Sequence, residues 1–131
     1  MAIIPIMPLG GFSLLRKNIM EAKALGMCRG MATPTTPYWF YNKVRNGGPW
    51  DYKQKNRLWA DFGNFNYGAT GYVSGIPPAI LLKGAGFAQS RAGTSNVEEW
   101  GHWWEIPPYG DDPEDQKWIK QGIDYAIQHG Y

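Results

Sequence analysis

The chain has 131 residues, 44% of them apolar, which suits one domain with its own core. Seventeen glycines and ten prolines exclude a long coiled coil, and seven Trp, eight Tyr and five Phe exclude a disordered tail. Thirteen Lys and Arg against eleven Asp and Glu leave a net charge of +2, too small to attract a polyanion by field alone. Cys28 is the one cysteine, so no internal disulfide and no thiolate zinc cluster can form.

Met1 to Leu9 is apolar, but it carries two prolines and no basic residue. It reads as neither a secretory signal nor a membrane span, which needs about 18 consecutive apolar residues. Residues 1–12 are expected to be a linker or docking segment. Ser13 can cap a helix over 13–25 with Leu15, Ile19 and Ala22 on one face and Gly26 as a stop. A Gly/Met/Thr/Pro connector follows, and Thr36-Pro37 opens a short aromatic helix to Asn46, closed by Gly47-Gly48.

Between residues 50 and 68 the pattern changes to alternation. Asp51 and Lys53 are two apart, as are Asn64 and Asn66, with Phe65 and Tyr67 in the other register. Such alternation predicts two short strands, a small central hairpin or sheet. Gly68, Gly71 and Gly75 then permit close backbone approach, and Pro77-Pro78 starts a small-residue helix. Residues 91–110 read as loop with a Trp-rich patch at Trp100, Trp103 and Trp104. Asp112 as cap and Pro113 as first helical residue open a last helix near 113–129, with Ile119, Ile123, Ala126 and Ile127 as its core stripe. The expected fold is a single α+β domain over 1–131, mostly helical, with a small central β element.

On a strand, Asp51 and Lys53 would share a face, where an ammonium favours the charged form of a carboxylate or tunes a neighbouring acid. Spacing alone favours a surface ion pair beside a turn, because exposed pairs are abundant. Asn64 and Asn66 beside Phe65 and Tyr67 suit sugar hydroxyls, acetamido groups or peptide links, with aromatic stacking floors; they also suit ordinary turn chemistry. Asp111, Asp112 and Asp115 lack the ligand spacing of a calcium loop and read as a helix cap with first-turn acids. A two-histidine nuclease would need His102 and His129 in one pocket, and His129 lies near a fraying end. No metal and no cofactor is expected. The Trp patch reads as a lid on the core or a saccharide platform.

The stretch Tyr38 to Gln54, YWFYNKVRNGGPWDYKQ, resembles the bacterial polymorphic toxin type 44 domain. Three further blocks strengthen the likeness: Phe62 to Gly71; Ala85-Gly86 with Gln89 and residues 92–95; and Tyr109 to Pro113 with Asp115, Ile119 and Gly122. The segment Asn18 to Ala22 is also similar, so the resemblance spans about residues 15–131.

The resemblance implies an effector toxin, of the Rhs or type VI secretion kind, that poisons competing bacteria. It implies a cognate immunity protein and a secretion apparatus or carrier, whether the domain is free-standing or part of a larger protein. It does not fix the reaction. Carboxylates beside amides and many aromatics suit glycan cleavage, which needs an acid, a base or nucleophile, and stacking surfaces. The expected activity is therefore hydrolysis of the peptidoglycan glycan strand in the target periplasm. Asp51 is the expected central carboxylate, Lys53 its tuning charge and Glu21 the second carboxylate. Asn64, Asn66, Tyr67, Trp50 and Gln89 are the expected substrate contacts. The alternatives are a ribonuclease using Lys53, Arg45 and Tyr67 on RNA in the cytosol, and a non-enzymatic binding or secretion-tip module.

Overall fold

The computed structural model describes residues 2–25 and 35–131. It is built from helices: α1 (Gly11–Leu25), α2 (Thr36–Val44), α3 (Tyr52–Lys55), a 3-10 turn (Arg57–Trp59), α4 (Ala60–Val73), α5 (Pro78–Arg91), α6 (Val97–Trp100) and α7 (Pro113–Gln128). The described residues hold no strand, so the expected α+β fold with a central hairpin is overturned. The three helices expected near 13–25, 37–46 and 113–129 are present. α1 starts two residues before Ser13, which therefore lies inside the helix and does not cap it. The connector with Gly26 and Cys28 lies outside the described residues.

The alternation at 50–68 was misleading because the stretch contains three helical pieces. Tyr52–Lys55 is one turn, Asn56 caps the next by accepting from the Leu58 amide at 3.0 Å, and α4 then runs through both asparagines. Helical geometry turns residues two apart to opposite faces. Asn66 is therefore fully buried, whereas Asn64 is half-buried and donates to the Ala60 carbonyl at 3.3 Å.

α4 is the centre of the core. It buries Phe62, Phe65, Ala69 and Val73, and α7 answers with Ile119, Ile123 and Ala126. The two backbones nearly touch. A Cβ at Gly68 would overlap the Ile119 carbonyl, and one at Gly122 would overlap the Phe65 carbonyl. Glycine at both crossings gives up helix propensity, about 1 kcal/mol each, for this approach. α1 lays Leu15, Ile19 and Ala22 on the same core, as its period predicted. The α7 stripe holds at Ile119, Ile123 and Ala126, but Ile127 is half exposed. Removing a side chain such as Phe65 from this packing would cost about 3–5 kcal/mol.

Residues 2–8 have no regular structure, and their start is tied to α7. The Ala2 amide donates to Gln128 Oε1 at 2.9 Å and the Ile3 amide to Gln121 Oε1 at 2.7 Å. Pro77 stands at the N-cap of α5 and Pro78 opens the helix; Asp112 caps α7 by accepting from the Glu114 amide at 2.9 Å. Both helix starts are where the sequence placed them.

Candidate functional site

Two polar clusters flank α3, whose consecutive residues Tyr52 and Lys53 belong one to each. The first is an acid cluster at the start of α7. The loop ahead of it is fastened in three places: Ser95 Oγ donates to the Gly110 carbonyl at 2.6 Å, the Gly110 amide to the Trp100 carbonyl at 2.9 Å, and the Asp111 amide to the Pro108 carbonyl at 3.1 Å. This sets Asp111, 2% exposed, against Gln116. Gln116 Nε2 donates to Asp111 Oδ2 at 2.7 Å and to the Leu82 carbonyl at 3.1 Å, tying α7 to α5.

Burial pushes the Asp111 carboxyl up to about 6; the Gln116 and Asp112 N–H groups and the Lys53 ammonium pull it down, and the Asp112 charge pushes it up. Asp115, partly buried four residues on, is pushed up to about 7 by burial, then by the charges of Asp111 and Asp112; Lys53 opposes this and Asp61 adds to it. Asp61, near the start of α4, is itself raised by burial and by Glu114, with Lys117 lowering it. Three carboxyls thus sit above their ordinary range in one place. Near neutral pH the cluster holds both protonated and ionised acid, the pairing acid–base catalysis needs.

The second cluster lies between α1, α2, α3 and α4. Glu21 Oε2 pairs with Lys43 Nζ at 2.7 Å, and that ammonium lies 5.2 Å from the centre of the Trp50 ring. One turn back on α1, the amide of Asn18 donates to Tyr52 Oη at 2.8 Å and to Asn66 Oδ1 at 3.0 Å. Burial raises the Tyr52 phenol, the Asn18 bond lowers it, and the Glu21 charge raises it. The Nδ2 of Asn66, fully buried, finds no acceptor among the described residues. Glu21, Asn66 and Trp50 are therefore brought into one neighbourhood, as sequence alone could not say, by Asn18, Lys43 and Tyr52.

The other expected site residues are spread more widely. Asp51, 7% exposed, precedes α3 and accepts from the Gly47 amide at 2.8 Å, which fixes the Gly-Gly turn. Among the described residues the ion pairs are Lys43–Glu21, His102–Glu105 and Lys117–Glu114; none joins Asp51 to Lys53. The expected shared strand face does not exist, and the Lys53 charge acts instead on the Asp111 and Asp115 carboxyls, which it lowers. Tyr67 Oη donates to the Leu81 carbonyl at 2.6 Å, and burial, then the Asp111 charge, raises the phenol far above its ordinary range. Gln89 reaches the Thr94 carbonyl at 3.3 Å and stabilises the end of α5.

His102 Nδ1 sits 2.7 Å from Glu105 Oε1, and its ring stacks on Trp104; His129 Nδ1 sits 2.9 Å from the Tyr125 carbonyl at the far end of α7. Each histidine is held by its own local partners. No group of three His, Cys, Asp or Glu side chains among the described residues is arranged to hold a metal, and no helix among them is long and apolar enough to cross a membrane.

Sequence reasoning missed Asp111, Asp115 and Gln116 as a site. The acids were read as a helix cap with first-turn acids, which holds for Asp112 and Asp115 but leaves the buried Asp111 unexplained. The available signal was a second aspartate before the cap, with Asp115 and Gln116 four and five residues later, where one helical turn returns them to it.

The fold and these clusters define a small domain, helical in every element of its described residues, with partly desolvated acids. Its sequence matches the family model described as Bacterial toxin 44 over residues 58–128, more than half of the chain, and the protein belongs to that family. The match takes in three of the resembling blocks; Tyr38 to Gln54 and Asn18 to Ala22 lie outside it. Membership makes this a bacterial toxin domain, a class that implies secretion, delivery to a target cell and a cognate immunity protein. No curated protein and no solved structure matches the chain.

Proposed function

We propose that this toxin hydrolyses the glycan strand of peptidoglycan in the envelope of competing bacteria. The observation that carries the reading is Asp115, a partly exposed carboxyl pushed up to about 7 by burial and by the charges of Asp111 and Asp112. Glycoside hydrolysis needs one protonated and one ionised carboxyl at working pH. Asp115 is partly exposed and takes the role of general acid. Asp111 is too buried to meet substrate; it is a positioning residue that keeps Asp115 protonated. Glu21, paired with Lys43 on the other side of α3, is the proposed second carboxylate. Asn64, Tyr67 and Gln89 remain the proposed substrate surface, whereas Asn66 and Trp50, buried like Asp111, brace it from beneath, Trp50 beside the Glu21 pair. Asp51 acts by fixing the turn that holds Trp50, whose amide donates to the Lys43 carbonyl at 2.8 Å.

A secretion apparatus or carrier would bring the domain to the target periplasm, and an immunity protein would shield the producer. The test is expression with and without a periplasmic signal, followed by incubation of purified protein with peptidoglycan. Toxicity only on export, with release of soluble muropeptides, supports the reading. Toxicity only in the cytosol, with RNA degraded and peptidoglycan intact, replaces it with the ribonuclease. Loss of neither substrate leaves a binding or tip module.

A further inference from the structure

Beside the acid cluster, the Pro107-Pro108 loop and the first turns of α7 enclose an open groove of about 450 Å³. Pro107, Pro108 and Pro113 give it apolar walls, and Lys117, Lys120 and Gln121 line it from the helix. Lys117 and Lys120 are three apart and so share a helix face. Lys117 lies 3.9 Å from Glu114 and over the Trp118 ring, whereas Lys120 has no ion pair among the described residues.

Gln116 also lines the groove, and it is 4% exposed. Its Nε2 is committed to Asp111 and to the Leu82 carbonyl, but its Oε1 is buried with no donor among the described residues. A buried carbonyl oxygen without a donor is unfavourable, and a ligand N–H recovers the lost bond. The groove thus offers one amide acceptor, two cations and proline walls.

We propose that it binds the acidic peptide stem carried by the glycan strand, an inference that rests on the peptidoglycan reading above. A stem amide N–H meets Gln116 Oε1, its free carboxylates meet Lys117 and Lys120, and its alanine methyls lie on the prolines. Since Gln116 also holds Asp111, an occupied groove seats the strand next to the acid cluster through one side chain. The domain would then prefer glycan that still bears its stems.

The test titrates the isotope-labelled chain with a synthetic stem tetrapeptide of two alanines, a γ-linked glutamate and a diamino acid, its carboxylates free, and follows amide shifts. The expected shifts fall on Gln116, Lys117, Lys120 and Gln121. The Lys117→Met/Lys120→Met double variant, its fold checked by melting, should raise Kd about ten-fold. A tetrapeptide with every carboxylate amidated should weaken similarly. Shifts confined elsewhere, or equal binding by the double variant, would overturn the proposal. Muropeptide release by wild type without peptide binding removes the groove and keeps the hydrolase; peptide binding without muropeptide release keeps the groove and removes the hydrolase.

Discussion

Gly86 of α5 lies against the carbonyl of Tyr109 so closely that a Cβ at position 86 would overlap it. Tyr109 has φ of 60°, a left-handed conformation uncommon outside glycine, and stands two residues before Asp111. Two blocks far apart in sequence, Ala85-Gly86 and Tyr109 to Pro113, are thus one contact, and it seats the buried acid.

Gly86→Ala should therefore destabilise the fold by about 1–3 kcal/mol through overpacking against backbone that cannot yield. It should also shift Asp111. Gly63→Ala, also helical but with nothing nearer than 3.8 Å, should be neutral or stabilise by up to about 1 kcal/mol. Thermal melting of the two variants checks the contrast. Equal effects would mean that the Gly86 contact does not constrain the loop.

The acid cluster makes stability depend on pH. Asp111 and Asp115 have folded carboxyl pKa values of about 6 and about 7 against an ordinary 3.8. Between pH 4 and 7 the folded state holds more protons than the unfolded one, so these groups lower stability as pH rises through that window. Above pH 7 their effect is constant. The melting temperature should therefore rise between pH 8 and pH 5, by the equivalent of about 4 kcal/mol for the pair. Asp111→Asn and Asp115→Asn should each flatten that slope and melt higher at pH 8. A melting temperature that falls on acidification in this range would contradict the raised values.

Asp112 plays a different part from its neighbours. Its side chain accepts from the Glu114 amide and opens α7. Asp112→Asn should be nearly silent because asparagine caps about as well, while Asp112→Ala should cost about 1 kcal/mol. Denaturant melts on both variants separate the cap from the cluster. If Asp112→Asn abolishes toxicity with unchanged stability, the residue belongs to the chemistry.

What the sequence revealed follows from how local the cause was. The cap at Asp112, the helix start at Pro77-Pro78 and the stripes Leu15–Ile19–Ala22 and Ile119–Ile123–Ala126 depend on a few neighbouring residues, and they were legible. α4 was not. Its glycines and aromatics are weak helix formers, and the helix holds because Gly68 lets it approach α7 while Phe62 and Phe65 fill the core. Polar residues two apart imitated a strand although one of them, Asn66, was destined for a buried network with Asn18. The acid cluster was hidden for a related reason. Asp111 differs from Asp112 only in where the Tyr109 loop turns it, and that depends on Gly86, 25 residues earlier.

The decisive comparison sets Asp115, Glu21 and Asp51 side by side. Asp115→Asn removes the proposed general acid and also relieves the crowding of Asp111 and Asp112, so activity should be lost while stability stays or rises. That combination separates a reacting group from a structural one, because a structural carboxylate loses both together. Glu21→Gln keeps the side chain's size and removes its charge from Lys43, an ion pair still partly exposed and worth less than about 1 kcal/mol. It should therefore fold and lose most muropeptide release. Asp51→Asn retains an oxygen to accept from the Gly47 amide, so it should keep the fold and much of the activity. Asp51→Ala deletes that acceptor and leaves the amide unpaired, costing about 1–3 kcal/mol. Melting and muropeptide release on the four variants read all of this at once. If Asp51→Asn is fully inactive with an unchanged melt, while Asp115→Asn remains active, the chemistry belongs to Asp51 and the acid cluster is only a structural junction.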